Sequence, residues 1–406
     1  MCHRVPIPCV LALCLSTVVS AQQASAPPAA ADESRAQYPP ILANSFVSLR
    51  VGHLGYPFSQ QHLEPGHTAG DLAVPHLAAQ AVLFGHHFGK YVSAQASYMR
   101  PVKYVKYRDL DGTGATRSVW MHFGTVTMLA RVPLGDRVSI VGEAGLGFSS
   151  RNGFELDEVP LIRDAQFASL LTGAGVEYRL SPSLDFVAGA FYLPARARDN
   201  HPRTVFSSAG VRYNLRPLSP AQVAETVAAG YHFPKHIVQA GFATDAFGYG
   251  ANHLFSKTIP VFWGGHVEVQ RSVASVHYQR NLFHTRKVFS IDLGASVGRW
   301  RTRGGDDFTT VSVFPLLRFT LLRRSMADLY FGYSLAGPTY ISTLILDGLH
   351  TGRHFTFQDF MALGMFVGPN RRLNLELNLN HYSNGNIFTE NAGVKVPLAV
   401  KVGYAF

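Results

Sequence analysis

Long stretches of this chain alternate between apolar and polar residues, a pattern with the two-residue period of a β-strand. In residues 137–148, Val138, Ile140 and Leu146 share one face, while polar residues and glycines share the other. Residues 204–215 alternate in the same way. An amphipathic helix would repeat every 3.6 residues, so this pattern predicts strands that are apolar on one side only.

Connections of two kinds separate these alternating stretches. The short ones are tight turns at 133–136, 181–183 and 368–371, and the long ones are polar segments such as 108–116, 151–164 and 301–307. Short turns at one end and long loops at the other are typical of bacterial outer-membrane β-barrels. A soluble β-sandwich also alternates and is the competing interpretation. Past the N-terminal region, no apolar run approaches the length of a transmembrane helix, which leaves the barrel as the membrane option.

The alternating stretches fall into two groups of about eight strands each, at 45–215 and 236–406. Between them, proline and alanine interrupt the pattern, and 220–229 has the composition of a short helix. We therefore predict an all-β fold of two tandem, eight-stranded, antiparallel transmembrane barrels, at 41–215 and 237–406, joined by a linker at 216–236. One barrel of sixteen or more strands is the alternative, because a sequence does not reveal which strand edges pair.

The N-terminus predicts export. A basic start and an apolar stretch lead to small residues, which indicates a signal peptide at 1–21, followed by a flexible leader at 22–40. All three cysteines, Cys2, Cys9 and Cys14, lie in the signal peptide, so we expect a mature chain without disulfides. The C-terminal strand ends in aromatic Phe406 and resembles the assembly signal of outer-membrane proteins. We expect a bacterial outer-membrane protein inserted by the barrel-assembly machinery.

Composition agrees with this picture and excludes other classes. Only 15% of the 406 residues are charged, 12% are aromatic and the net charge is +10, which is unlike a disordered chain. The basic residues are scattered and no recognition motif accompanies them, so we expect no nucleic-acid partner. Arg301 and Arg303 could neutralise phosphates of an anionic lipid, and so could Arg323 and Arg324 unless that pair marks a periplasmic turn.

Residues 371–386 contain the clearest strand, and it carries the candidate chemistry. Four leucines at alternate positions from 373 to 379 form one row, and polar residues form the other. A membrane barrel turns such leucines toward lipid, and by the same parity His381 and Ser383 continue the lipid-facing row. A rise of about 25 Å from the turn brings this pair to the outer edge of the hydrocarbon layer. There His381 could act as the general base that activates Ser383 toward an ester carbonyl.

The segment His381-Tyr382-Ser383-Asn384, followed by Asn391-Ala392-Gly393 and an aromatic C-terminal strand, resembles the catalytic segment of lipid A 3-O-deacylases. The resemblance extends upstream through 355–359 and 330–337 and covers about the last 120 to 170 residues. It implies an eight-stranded barrel in which Ser383 is the nucleophile and His381 the base. It also implies that Asn384 and Asn391 help to hold the oxyanion. The N-terminal half resembles small eight-stranded outer-membrane barrels in pattern only.

One position departs from that family. The resemblance places a triad acid about a dozen residues after the serine, where this chain has Lys395 or Val396. Glu390 is the acid in the intervening loop and is our candidate replacement. Asp359 and Glu376 are less favoured, the latter because its parity turns it toward the barrel interior. Without an acid, the histidine lacks the group that fixes its tautomer.

Two hypotheses follow. The first is an outer-membrane serine esterase that removes an ester-linked acyl chain from the lipid A of lipopolysaccharide, with no metal or cofactor. The second is a non-catalytic barrel protein that has lost the triad acid and serves as a scaffold, an adhesin or a narrow channel. Pro397 also predicts a bulge in the final strand, because proline cannot donate to a β-ladder.

Overall fold

The computed structural model describes residues 33–406, apart from 259–264, 386 and 389. The predicted signal peptide, its cysteines and the leader up to residue 32 lie outside the described residues. Within the described part of the chain, 22 strands build two closed barrels of eight strands each, together with short accessory strands. The all-β fold with two small barrels is confirmed, and the alternative of a single large barrel is wrong.

The first barrel closes through pairing of β6 with β7, and its strands follow the ring order β6-β4-β3-β1-β12-β11-β10-β7. Accessory strands β2 and β5 extend the sheet beside one end of β6, and β8 and β9 form a separate hairpin. The strands are β1 (Ser45–Gly55), β2 (Ala69–Ala73), β3 (Leu77–His87), β4 (Val92–Pro101), β5 (Val105–Leu110), β6 (Ala115–Pro133), β7 (Val138–Asn152), β8 (Phe154–Leu156), β9 (Val159–Ile162), β10 (Ala165–Arg179), β11 (Leu184–Leu193) and β12 (Thr204–Leu215).

The second barrel closes through antiparallel pairing of its first strand with its last, from Ile237 opposite Ala405 to Ala243 opposite Ala399. Two of its short strands, β18 and β19, form a hairpin outside the ring. The strands are β13 (His236–Ala243), β14 (Val267–His284), β15 (Phe289–Thr302), β16 (Asp307–Arg323), β17 (Ala327–Ile341), β18 (Ile345–Leu346), β19 (Leu349–His350), β20 (Phe355–Val367), β21 (Leu373–Ser383) and β22 (Val394–Ala405).

The segment between the barrels contains the short helix that the sequence predicts, α1 (Pro220–Ala228). Ser219 caps it by accepting the N–H of Gln222 at 3.3 Å, and a proline fits its first turn because that position needs no N–H. A second helix, α2 (Gly250–Thr258), lies in the connection between β13 and β14. Neither of these helices, nor any other in the described residues, is long and apolar enough to cross a membrane.

Side chains fill the interiors of both barrels. In the first, the buried guanidinium of Arg212 pairs with Glu177 at 2.6 Å and with Asp185 at 3.1 Å. In the second, Lys401 pairs with Glu376 at 3.2 Å, and a further buried arginine pairs with an aspartate, Arg318 with Asp292. Buried charges of this kind are stable only when they are paired, so each interior is a polar core rather than an open channel.

Most connections at one end are longer than those at the other, and we take the end with short turns as periplasmic. Segment 301–307 was expected as a long connection, but only the short turn 303–306 joins β15 to β16 there. Segments 108–116 and 151–164, expected as polar loops, instead consist largely of strands that continue the sheet beyond the barrel or form hairpins. Arg323 ends β16 at a short turn and pairs with Asp328 at 2.7 Å, so it lies at the periplasmic end. The proposed lipid-phosphate role therefore does not fit Arg323 or its neighbour Arg324.

Candidate functional site

Strand β21 turns its leucines outward. Leu373, Leu375 and Leu377 are 37% to 44% exposed, whereas the alternating polar side chains are buried inside the barrel. Toward the outer end the same outward row becomes covered, since Leu379 is 4% exposed and His381 is 3% exposed. Ser383 follows on the same row and is half-buried. Residues two apart on a strand are about 7 Å apart at the backbone, within reach of an imidazole and a hydroxyl that lean toward each other.

An acid lies beside His381 on the preceding strand. Asp359 of β20 is the cross-strand partner of His381, and its Oδ2 is 3.9 Å from the imidazole Nδ1. Both side chains are almost fully buried. The other carboxylate oxygen, Oδ1, accepts the backbone N–H of Ala336 at 2.6 Å. A carboxylate held in this way can fix the orientation of a histidine and stabilise its protonated form.

A bulge in β17 presents that N–H to Asp359. The register between β17 and β20 shifts between Ser334 and Gly337, and Ala336 adopts a positive φ of 53°. Such a bulge leaves an extra residue outside the ladder, so its N–H can be directed at a side chain. Nothing in the local sequence identifies this contact, since Gly-rich stretches are common in barrel strands.

One of the two positions expected for the family acid, Lys395, carries a cation. Lys395 of β22 is the other cross-strand partner of His381, and its Nζ lies 3.0 Å from Oε1 of Glu268. The second oxygen of Glu268 accepts a hydrogen bond of 2.9 Å from Arg303. The lysine charge next to the histidine is thus compensated by a carboxylate of β14. The bulge expected at Pro397 is present, because the β21–β22 register shifts across this residue.

The other acids considered from the sequence are engaged elsewhere. Glu390 places its carboxylate 2.9 Å from Nδ1 of His350, at the hairpin of β18 and β19. Glu376 lies inside the barrel, paired with Lys401. Of Asp359, Glu376 and Glu390, Asp359 is therefore the acid that the described contacts pair with His381.

The two asparagines hold the loop that follows Ser383. Asn384 is fully buried, and its Nδ2 donates to the carbonyl oxygens of Thr351 at 3.2 Å and Glu390 at 3.0 Å. Its backbone N–H donates to Oδ1 of Asn391 at 3.0 Å. Both protons of the Asn384 amide are used in this way, so the side chain of Asn384 stabilises the loop and would have to break a contact to serve an oxyanion.

An aromatic wall borders the serine. Phe357 is the cross-strand partner of Ser383 on β20 and meets Phe355 edge to face at 5.1 Å. Two residues after the serine, Gly385 adopts a positive φ of 62° and turns the chain away. No group of three metal-binding side chains occurs among the residues whose placement is described. The site thus combines a serine, a histidine and a carboxylate on an outward, apolar wall.

Comparison with known proteins relates this site to a family. Residues 266–404 match the model of the lipid A 3-O-deacylase (PagL) family. The match runs from the start of β14 into β22 and includes Asp359, His381 and Ser383. It confirms the resemblance found in the C-terminal half. Together with the barrel fold, this match shows a bacterial outer-membrane protein whose C-terminal barrel is similar to the lipid A 3-O-deacylase family.

Several solved structures are similar to parts of the chain, and no curated protein matches it. The crystal structure of the outer membrane enzyme PagL is 14% identical, covering 41% of this chain and 97% of its own, with a TM-score of 0.29. The N-terminal barrel of Pseudomonas aeruginosa OprF is 14% identical over 42% of this chain and 98% of its own (TM-score 0.26). Neisserial surface protein A is 16% identical over 42% of this chain and 97% of its own (TM-score 0.27).

Proposed function

We propose that this protein is an outer-membrane esterase that hydrolyses an ester-linked acyl chain of lipid A in lipopolysaccharide. In this proposal the barrel at 237–406 is the catalytic domain, and the barrel at 41–215 is connected to it by the linker at 216–236. The observation that carries the proposal is the Asp359–His381 pair, at 3.9 Å, on the outward wall that also bears Ser383. No cofactor is needed, because this set of side chains is sufficient for acyl transfer.

In the first step, Nε2 of His381 takes the proton of the Ser383 hydroxyl while Oγ of Ser383 attacks the ester carbonyl carbon. Asp359 faces Nδ1 and stabilises the imidazolium that forms. The bond to the sugar oxygen then breaks, and His381 returns the proton to that oxygen, leaving an acyl-serine. Water, deprotonated by His381, releases the fatty acid and restores Ser383. The distance of 3.9 Å would shorten when substrate binds, as catalytic contacts often do.

The developing oxyanion needs hydrogen-bond donors next to Ser383. We assign this role to Asn391 together with backbone N–H groups of the loop, and we assign Asn384 the role of holding that loop in place. The leucine row of β21 gives the acyl chain an apolar surface that leads to the serine. Arg301 and Arg303 would meet the lipid A phosphates only by exchanging their present carboxylate partners, Asp307 for Arg301 and Asp245 and Glu268 for Arg303.

The test is the mass spectrum of lipid A from cells that express the full chain. We expect the wild-type protein to remove one acyl chain, and Ser383→Ala and His381→Ala to leave lipid A intact while the barrel still assembles. A matched control is Ser207→Ala, because Ser207 also faces outward and is the cross-strand partner of a histidine, His53, on the first barrel. Lipid A from cells that express Ser207→Ala should be deacylated as much as with the wild-type protein.

Unchanged lipid A in cells with abundant, correctly assembled wild-type protein would overturn the esterase proposal. That result would favour the second hypothesis, a non-catalytic barrel pair serving as a scaffold, an adhesin or a narrow channel. Assembly is checked on a gel by comparing the migration of the unheated protein with that of the heated protein. A difference between the two shows that the variant is folded. Insertion by the barrel-assembly machinery is part of the proposal and predicts that removing the terminal Phe406 lowers the assembled amount.

A further inference from the structure

The first barrel has a covered patch on its outward face, at the end that carries the long connections. On β6, interior and outward positions alternate, and the outward residues Val126 and Met128 are exposed. Further along the same row, Trp120 is half-buried and His122 is only 5% exposed. An outward side chain of a lone barrel would face lipid, so these positions are covered by other parts of the protein.

A direct contact identifies one of the covering groups. Nε2 of His122 lies 3.1 Å from the carbonyl oxygen of Gly385 and donates a hydrogen bond to it in the matching tautomer. Gly385 is two residues beyond Ser383. Two outward residues near the end of β21, Leu379 and His381, are buried as well. The first barrel therefore contacts the loop that follows the proposed nucleophile.

Five side chains of the first barrel surround this contact, and we call them the rim cluster: Tyr98, Arg100, Tyr104, Trp120 and His122. His122 stacks on Tyr98 at 5.2 Å and meets Trp120 edge to face at 4.8 Å. Arg100 donates to the hydroxyl of Tyr104 at 2.5 Å, and its guanidinium lies 5.3 Å from the centre of that ring. The cluster thus presents aromatic faces together with one cation.

This chemistry fits an amphiphilic, anionic lipid. Aromatic rings pack against acyl chains and sugar faces, and a guanidinium pairs with phosphate. An ordinary aromatic girdle is the simpler explanation for interfacial tyrosines and tryptophans. Girdle residues remain exposed to lipid, however, as Tyr192 does on the opposite wall at 42%. The rim cluster differs because it is partly covered and is bonded to the loop after Ser383.

We propose that the rim cluster is the second wall of the lipid A site, so that one lipid A molecule binds between the two barrels with its ester at Ser383. The first barrel then contributes to substrate binding, and the catalytic groups come from the second barrel alone. This inference rests on the proposed function and deepens it. It gives the N-terminal half a role that the family resemblance does not include.

The test compares deacylation kinetics of full-length variants in mixed micelles containing lipid A. Tyr98→Ala and Trp120→Ala should raise KM by about five- to tenfold, the effect of losing an aromatic contact, with kcat within about twofold of the wild type. Tyr192→Ala is the matched control, since β11 lies opposite β4 in the ring and Tyr192 faces outward. Its KM should not change.

Direct binding separates this inference from the proposed function. Lipid A micelles titrated into the inactive Ser383→Ala protein should bind about five- to tenfold more weakly when Tyr98→Ala is added. This measurement needs no activity, so it tests the rim cluster even if the protein is not an esterase. Unchanged KM and unchanged binding in assembled variants would overturn the inference. A fall in kcat alone would also overturn it, because that result would mean that the cluster only positions the Gly385 loop.

Discussion

Asp359 and His381 are 22 positions apart in the sequence, yet the register of two strands makes them neighbours. A cross-strand pair on one face has its Cβ atoms about 5 Å apart, close enough for a carboxylate to orient an imidazole. The chain thus has an acid at the histidine although the expected position carries Lys395 or Val396. The acid comes from the strand before the histidine instead of the strand after it.

If Asp359 positions the base, Asp359→Asn should lower kcat by roughly 10²- to 10⁴-fold with little change in KM. The amide keeps an oxygen that accepts the N–H of Ala336, so the bulge of β17 and the barrel should persist. Glu390→Gln is the matched control and should change kcat less than about twofold, because Glu390 contacts His350. Steady-state deacylation rates in micelles measure both. If Glu390→Gln lowered kcat more than Asp359→Asn did, Glu390 would be the acid instead.

Parity within one strand was enough to predict which side chains of β21 point outward and which point into the barrel, but not that the outer end of the outward row is covered. It placed His381 and Ser383 on the leucine row, and it placed Glu376 inside. The contact with Asp359 depends on how β20 aligns with β21, and no pattern within either strand specifies that alignment. The buried contacts of Asn384 were likewise beyond prediction, because they involve carbonyl groups of two different loops.

Strands β21 and β22 are joined inside the barrel by a charge pair. Glu376 and Lys401 are cross-strand partners, their charged atoms are 3.2 Å apart, and both side chains are almost fully buried. Lys401→Met would leave the carboxylate without its cation, which typically costs about 3–5 kcal/mol of stability. The double variant with Glu376→Gln should recover much of that loss, because no unpaired charge remains.

The measurement is the urea midpoint of unfolding of the second barrel, followed in detergent by an introduced tryptophan or by gel migration. Equal destabilisation by the single and double variants would contradict this explanation. The matched control is Lys287→Met, since Lys287 lies in a short turn, where losing its charge should shift the midpoint little.

The sequence predicts the membrane-spanning strands of the barrels better than the short strands that extend past them. Lipid on one side and a polar core on the other impose a strict alternation, and even the bulge at Pro397 could be inferred from the missing N–H. Strands β5, β8 and β9 are only three to six residues long, and charged residues and glycines flank them in the sequence. Their sequence therefore looks like a polar loop, although Tyr107 and Phe154 pack together in a buried cluster.

At the scale of the whole molecule, the two barrels contact each other through segments far apart in sequence. Near the periplasmic end, Arg35 donates to the carbonyl oxygen of Phe233 and to Oδ1 of Asn281, both at 3.0 Å, and Tyr38 stacks on Phe283 at 4.3 Å. At the other end, His122 contacts Gly385. The residues just before the first barrel thus bind the second barrel. Such contacts constrain how far the barrels can separate during any lipid entry between them.

Closure into two small rings has a direct consequence for permeation. Eight-stranded barrels have interiors narrow enough for side chains to fill, and here paired charges such as Arg212 with Glu177 occupy them. We expect the assembled protein in a planar lipid bilayer to conduct at least about tenfold less than a sixteen-stranded porin. Arg212→Ala should raise any residual current through the first barrel, whereas Arg198→Ala, an exposed residue in the connection between β11 and β12, should not. A steady current of porin size in the wild type would mean that these interiors open in the membrane.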